Sequence, residues 1–233
     1  GRWSEAVKRE IRTSRVDKTR SLCESLSRLD KKPEVLICAS AIGIYGNRGN
    51  ELLDESSSIG DDFLAELARD WEAACQPALD AGIRVVNARF GVVLSPHGGA
   101  LKKMLIPAKF AGGALGDGKQ WWSWIALDDV LGAIYHAMAE SGLSGPVNLV
   151  SENPVTNRDF AKTLGRVIGR PAIFPAFAFM LRAAMGEMAD ALLLSSTRVE
   201  PGKLTQSGYH FRFDDLNEFL RYSLGYDRLE SVE

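Results

Sequence analysis

The sequence predicts an α/β fold, a parallel sheet flanked by helices, with a smaller and mostly helical C-terminal lobe. Three observations carry the prediction. Val35–Ala39 is a short, continuously apolar run of the kind that forms a strand buried on both faces. Runs of this type alternate with stretches of helical periodicity up to Val150, and such alternation implies parallel strands joined by crossovers. Beyond Pro171 the strand signals thin out and helical spacing takes over.

Taken in order, Ser4 to Leu29 reads as a helix, with Val7, Ile11, Leu22, Leu26 and Leu29 at helical spacing and Ser4 as its N-cap. Lys31-Lys32-Pro33 ends it and the strand Val35–Ala39 follows. Gly46 to Gly60 is a loop rich in glycine, serine and acidic residues. Asp61 to Ala78 is a second helix, with Phe63, Leu67, Trp71 and Ala74 along one stripe. Ile83–Ala88 is a strand, Gly91–Gly99 a loop, Ala100–Phe110 a helix, Asp128–Glu140 a helix and Pro146–Val150 a strand. Thr156-Asn157-Arg158-Asp159 resembles a capping box that opens a helix running to Ile168. Phe211 to Leu224 forms a small closing element.

Composition narrows the function. The chain is 45% hydrophobic and 25% charged, as an ordinary globular protein is. A net charge of −2 supplies no general attraction to nucleic acid or anionic membranes. The most apolar stretch, Ala172–Met180, is too short to span a bilayer and is interrupted by Pro175. The start, Gly1-Arg2-Trp3-Ser4-Glu5, has no apolar signal core, so a cytoplasmic protein is expected. Cys23, Cys38 and Cys75 form no C-x-x-C pair, and His97, His136 and His210 make no ligand pattern. Three free thiols and no metal site are expected.

Gly43-Ile44-Tyr45-Gly46-Asn47-Arg48-Gly49 has the G-x-x-G-x-x-G spacing of phosphate-binding turns. That chemistry needs a helix to begin at once, so that its N-terminal amides face the phosphate. Here Asn50-Glu51-Leu52-Leu53-Asp54-Glu55 follows, acidic from the outset. A glycine-rich loop at a strand end is the better account.

The same stretch resembles a known pattern. Ser40-Ala41-Ile42-Gly43-Ile44-Tyr45-Gly46 is similar to the strand-end segment of extended short-chain dehydrogenases, Ser-Ser-x-x-x-Tyr-Gly. Asn87 to Leu94 looks like their Leu-Arg-x-Gly-x-Val-Leu segment. Gly116-Asp117-Gly118 followed by Trp124 to Asp129 resembles their Gly-x-Gly and Trp-Ile-His-x-Asp-Asp patterns, with Ala126 in the histidine's place. Arg2-Trp3-Ser4, Ser14-Arg15 and the similarity of Ala183–Leu220 to a short domain of unknown function point to the epimerase/dehydratase-like subgroup often called sugar nucleotide epimerases. The resemblance implies a Rossmann-like sheet whose first βαβαβ half, with the true glycine-rich turn, would precede Gly1. Residues 1–150 would then be the later portion of an NAD(P)-binding domain, with a substrate-lobe insertion near 95–127, and residues 151–233 a closing substrate lobe. It further implies NADP or NAD as cofactor and a small-molecule substrate such as a nucleotide sugar.

The superfamily's acid/base is a tyrosine whose pKa is lowered by a lysine four residues on, aided by a serine. No tyrosine here has lysine at that spacing, and the helix where the pair belongs, Phe63 to Arg69, offers neither. Ser40 and Tyr45 remain as catalytic candidates. Ser40 either orients a substrate hydroxyl or satisfies a strand-end amide; Tyr45, without a lysine, reads better as a structural or substrate-contacting residue. Ala39, Ser40, Arg89, Phe90 and Gly91 are the candidate cofactor wall. Arg89 needs a partner, either a substrate anion or a buried carboxylate. Arg89, Lys119, Gln120 and Trp124 are candidate substrate contacts, drawn from a loop where only one of Trp121, Trp122 and Trp124 is expected to touch ligand. Asp61, Asp62 and Glu66 favour the helix dipole, and one facing the pocket would serve as a base. Asp128 is read as an N-cap. Three functions follow: an oxidoreductase with a non-standard acid/base, a non-catalytic NAD(P)-binding sensor, or a chain that lacks its phosphate-binding half, binds no dinucleotide and aggregates through an open sheet edge.

Overall fold

The computed structural model describes residues 2–227. The chain begins with helix α1 (Glu5–Arg12), whose first turn is capped by the Ser4 hydroxyl accepting from the Val7 amide. A single π-helical turn, Thr13–Asp17, leads directly into α2 (Lys18–Ser27), so the long helix expected from periodicity is continuous but carries a bulge. Strand β1 (Val35–Ala41) ends in a 3-10 turn over Ile42–Tyr45, and β2 (Leu52–Leu53) interrupts the following loop. The expected helix over 61–78 is two: α3 (Phe63–Ala73), capped by Asp62, and α4 (Gln76–Asp80), which Pro77 restarts from within its first turn, where a missing N–H costs nothing.

Next come β3 (Arg84–Phe90), β4 (Val92–Ser95) and α5 (Gly99–Lys109). Three short strands not expected from sequence follow, β5 (Gly112–Leu115), β6 (Trp121–Trp122) and β7 (Trp124–Ala126). Helix α6 (Leu127–Ala139), β8 (Gly145–Leu149), β9 (Val155–Thr156) and α7 (Asn157–Val167) complete the central part. Thr156 does cap α7, accepting from the Asp159 amide. The rest comprises β10 (Phe174–Ala176), α8 (Ala178–Met185), α9 (Glu187–Ala189) with a π-helical turn to Leu194, β11 (Arg198–Val199), α10 (Gly202–Gln206) and α11 (Leu216–Ser223). Gly1 and residues 228–233 of the expected closing lobe lie outside the described residues.

The main sheet has the order β1-β3-β8, all parallel. Period-two alternation splits the central strand cleanly. Val86 and Ala88 join α6 and β8 in one core with Ala133, Ala137, Val147 and Leu149. Val85 faces the other way, against Cys23, Cys38, Cys75 and Ala78. The three cysteines, distant in sequence, thus meet in one buried cluster under α2 and α4, all as free thiols. A third core packs Trp122, Trp124, Phe160, Phe213 and Phe219 where the segments after Val150 close over β4 to β7.

Helix α6 begins differently from expectation. Its N-cap position is Ala126, and Asp128 lies exposed in the first turn. Asp129 is the buried acid instead, accepting from the Arg212 and Phe213 amides at 2.7 and 3.0 Å and from the Tyr209 hydroxyl at 3.2 Å. It staples the C-terminal segment onto α6. Among the described residues no helix is long and apolar enough to cross a membrane.

Gly91, between β3 and β4, is pinned by close packing. A Cβ there would meet the Ser123 carbonyl oxygen at 2.4 Å and Val150 Cγ1 at 2.7 Å. Gly91→Ala is therefore expected to lower unfolding free energy by about 1–3 kcal/mol, the usual cost of overpacking. Urea unfolding checks this; an unchanged midpoint would show that the β3–β4 corner yields.

Candidate functional site

The parallel register sets the polar geometry behind the strand ends. Ser40 pairs with Arg89, and Arg89 with Asn148, so three polar residues stand in a row across β1, β3 and β8. Glu72, near the end of α3, closes on two of them. It accepts from Ser40 Oγ at 2.6 Å and from Arg89 Nε and Nη2 at 2.8 and 2.9 Å. Tyr45, from the 3-10 turn, bridges Arg89 to the third, Asn148. Its hydroxyl accepts from Arg89 Nη1 at 2.9 Å and donates to Asn148 Oδ1 at 2.7 Å. Asn148 Nδ2 donates onward to the Glu200 carbonyl.

Burial makes this network a structural unit. The Arg89 and Glu72 side chains are only 6% and 13% exposed, and Tyr45 is fully buried. Burial works against the Arg89 charge, but its hydrogen bonds to Glu72 and its charge interactions with Tyr45 and Glu72 outweigh that and hold its pKa above the usual range. Burial likewise pushes the Tyr45 phenol up, with Arg89 opposing only in part. Arg89 is thus committed to a carboxylate of its own chain, not to a ligand anion. Tyr45 is held neutral, the reverse of what an acid/base tyrosine requires.

In front of this network opens a cleft of about 420 Å³. Its floor is the end of β1 with its turn, Ala41 to Gly43, and the segment Phe90-Gly91-Val92 after β3. Helix α3 supplies Asp62, Leu64, Leu67, Ala68 and Trp71. Trp3 comes from just ahead of α1, Ile11 from α1, Arg15 from the π turn, and Trp121, Trp122 and Ser123 from β6 and beyond. Ala191, Leu192, Ser195 and Thr197 close the far side. Openings at the C-terminal ends of parallel strands are where α/β sheets bind ligands.

Each expected site residue now has a place. Phe90 and Gly91 line the cleft. Ser40, Tyr45 and Arg89 lie behind it in the Glu72 network, and Ala39 is exposed, two residues short of Ala41. Three of the expected substrate contacts lie outside the cleft lining. Trp124 is fully buried against Phe219, with Nε1 donating to the Asn153 carbonyl. Gln120 is buried and donates to the Leu115 and Leu193 carbonyls. Lys119 is exposed and outside the cleft lining. Of Trp121, Trp122 and Trp124, the first two line the cleft, alongside Trp3 and Trp71.

The glycine run behaves as its acidic sequel implies. Gly46 and Gly49 take left-handed conformations, φ 68° and 58°, in a loop that reaches β2 rather than a helix. No helix N-terminus follows to face a phosphate there.

Three residues escaped sequence reasoning or were singled out only in part. Leu64, Ala68 and Glu72 recur every fourth residue on α3, so one stripe faces the strand ends. That stripe was the available signal for Glu72. Leu64 and Ala68 line the cleft at the four-residue spacing that a tyrosine–lysine pair would need. Arg15 and Asp62 are the only charged side chains among the described lining residues. Asp62 spends Oδ1 on the Ala65 amide at 2.9 Å, as the cap of α3.

Two substitutions test the network. Glu72→Gln leaves a buried guanidinium without its counter-charge and is expected to destabilise by about 3–5 kcal/mol. Tyr45→Phe orphans Arg89 Nη1 and Asn148 Oδ1, for about 1–3 kcal/mol. Because the folded phenol pKa is raised, Tyr45's contribution is intact below the unfolded value of about 10 and is lost as pH climbs towards the folded one. Denaturant unfolding across pH 7 to 11 reads all three. A Glu72→Gln protein as stable as wild type would contradict the ion pair's role.

Comparison with known proteins agrees with this architecture. Residues 176–222 match the family described as "Domain of unknown function (DUF1731)". The chain is 43% identical over 223 residues to the epimerase family protein Mb2239 of Mycobacterium bovis, covering 95% of this chain and 73% of the relative. The crystal structure of human epimerase family protein SDR39U1 (isoform 2) with NADPH is 32% identical, with a TM-score of 0.90 over 95% of this chain and 75% of that one. A nucleoside-diphosphate sugar epimerase from Corynebacterium glutamicum is 40% identical, with a TM-score of 0.81, covering 99% of this chain and 46% of that one. With its sequence matched to such relatives along almost its whole length, this chain belongs to the epimerase family.

Proposed function

We propose that this chain forms the nicotinamide-side wall and the substrate site of an NAD(P)-dependent oxidoreductase of epimerase type, acting on a hydroxylated small molecule such as a nucleotide sugar. One observation carries the reading: an apolar-floored cleft at the C-terminal ends of β1 and β3, with Asp62 the one carboxylate among its described lining residues. The human relative was crystallised with NADPH, and the Corynebacterium relative is named a nucleoside-diphosphate sugar epimerase; both support it.

The residues present fit the nicotinamide end of the cofactor. Ala41 to Gly43 and Phe90 to Val92 offer a largely apolar floor to a flat ring. Gly43 lets a ring approach the backbone, since the space where a Cβ would stand is bounded only by Leu64 at 3.6 Å. A pyrophosphate is not served, because Arg15 is the one cation among the described lining residues. When bound, the nicotinamide supplies a hydride acceptor or donor. The chain's own part is to exclude water with Trp121 and Trp122, to position the substrate, and to receive the proton of the hydroxyl being oxidised on Asp62. Asp62 stands in for the absent tyrosine, with one carboxylate oxygen still unclaimed by the α3 cap.

A second reading, binding without turnover, also has an observation in its favour. Leu64 and Ala68 occupy the cleft-facing spacing of the usual pair, and Ser40 and Tyr45 are tied into the buried network. Transfer of label from deuterated NADPH across a panel of nucleotide sugars separates the two, in the protein that carries this chain. Wild type is expected to exchange label, and Asp62→Asn to lose at least about a hundredfold while NADPH affinity holds. NADPH binding without exchange on any substrate favours the second reading. Failure to bind NADPH would sink both.

A further inference from the structure

Arg15 has no carboxylate within salt-bridge distance among the described residues, although Asp70 and Glu72 flank the Trp71 that it covers and Asp17 lies two residues on, exposed. The two acids that flank Trp71 are committed elsewhere. Asp70 is held by Arg12 and Arg69, and Glu72 by Arg89 and Ser40. The Arg15 guanidinium instead lies over the Trp71 ring, its Cζ 5.4 Å from the centroid. Nη1 makes only long contacts, 3.3 Å to the Ile11 carbonyl and 3.3 Å to Ser14 Oγ. Trp71 is itself fixed, its Nε1 donating to Thr19 Oγ1 at 2.9 Å. A planar cation on an immobile aromatic face keeps its orientation and gives up little freedom when it binds a ligand.

Local backbone geometry points the same way. Arg15 is the middle residue of the π-helical turn Thr13–Asp17, and π turns inside α-helices concentrate at functional sites. The turn brings Arg15 into the cleft lining together with Ile11, while Arg12 stays outside on Asp70.

We infer that Arg15 is the anchor for a carboxylate on the reacting portion of the substrate. The inference deepens the proposed function and rests on its reading of the cleft. Charge decides between carboxylate and phosphate. A phosphate monoester carries about −1.5 to −2 at neutral pH. One guanidinium would leave part of that charge unbalanced in a cleft where the only other charge among the described lining residues is the carboxylate of Asp62. A carboxylate is balanced one for one, and its two oxygens match the fork of a guanidinium. The substrate class is therefore a hydroxy acid, free or as the acidic end of a larger molecule, with its hydroxyl towards Asp62.

Mandelate, methyl mandelate and phenyl phosphate test this, since all three carry an apolar ring for the cleft and differ in charge. Binding is read from the indole N–H resonances of Trp71 and Trp121 by NMR, without NADPH, so the result does not depend on hydride exchange. Mandelate is expected to shift the Trp71 resonance and to bind at least tenfold tighter than its ester. Arg15→Gln should remove that advantage and leave the ester's affinity unchanged, and Arg15→Lys should recover only part of it. Equal binding of acid and ester, or an acid indifferent to Arg15→Gln, would overturn the anchor. Tighter, Arg15-dependent binding of phenyl phosphate would overturn the carboxylate, and no binding by any probe would overturn the inference altogether.

Discussion

The Glu72–Arg89 ion pair is the constraint around which the site is arranged. Parallel register puts Ser40, Arg89 and Asn148 side by side on three neighbouring strands. A row of polar groups inside a sheet has to be satisfied by something. Glu72 from α3 and Tyr45 from the 3-10 turn do this from within the chain. Such a pair adds little to stability over an apolar replacement, yet leaving either partner alone is costly. Its consequence is positional: α3, the end of β1 and the Tyr45 turn are locked to β3 and β8 in one arrangement.

That arrangement decides what the cleft can do. With the strand-end polar groups consumed, the floor is left mainly apolar, built of Ala41 to Gly43 and Phe90 to Val92. Charge enters from the helices, Asp62 at the start of α3 and Arg15 at the π turn. Asp62 is exposed and Arg15 half-buried, so both are open to solvent and to a ligand carrying a hydroxyl and an anion, the few placed polar groups of a largely apolar cleft. Trp3, Trp121 and Trp122 complete the wall.

Much of the fold was legible because its signals are local. The apolar run Val35–Ala39, the Thr156 cap and the helical stripe of α3 depend on residues close in sequence, and each lies where periodicity places it. The short strands β5 to β7 were not, since they pair with β4, β9 and β10, and two- to four-residue strands carry no period of their own. The site was half legible for a related reason. Position told that Arg89 stands at a strand end and needs a partner; only the packing of α3 told that the partner is Glu72. The aromatic cluster Trp121, Trp122 and Trp124 is visible in sequence, but alternation along β6 and β7 turns Trp122 and Trp124 alike towards the core, and of these two only Trp122 also reaches the cleft. Arg15 belongs to the Ser14-Arg15 motif, and nothing in the sequence announces the π turn that carries it.

A crystal structure with NADPH bound decides between these arrangements. The nicotinamide is expected against Ala41 to Gly43 and Phe90 to Val92, with Arg89 still on Glu72 and Tyr45 still on Asn148. A structure in which Arg89 leaves Glu72 for the ligand, or the Tyr45 hydroxyl turns to the nicotinamide or substrate, would contradict that expectation.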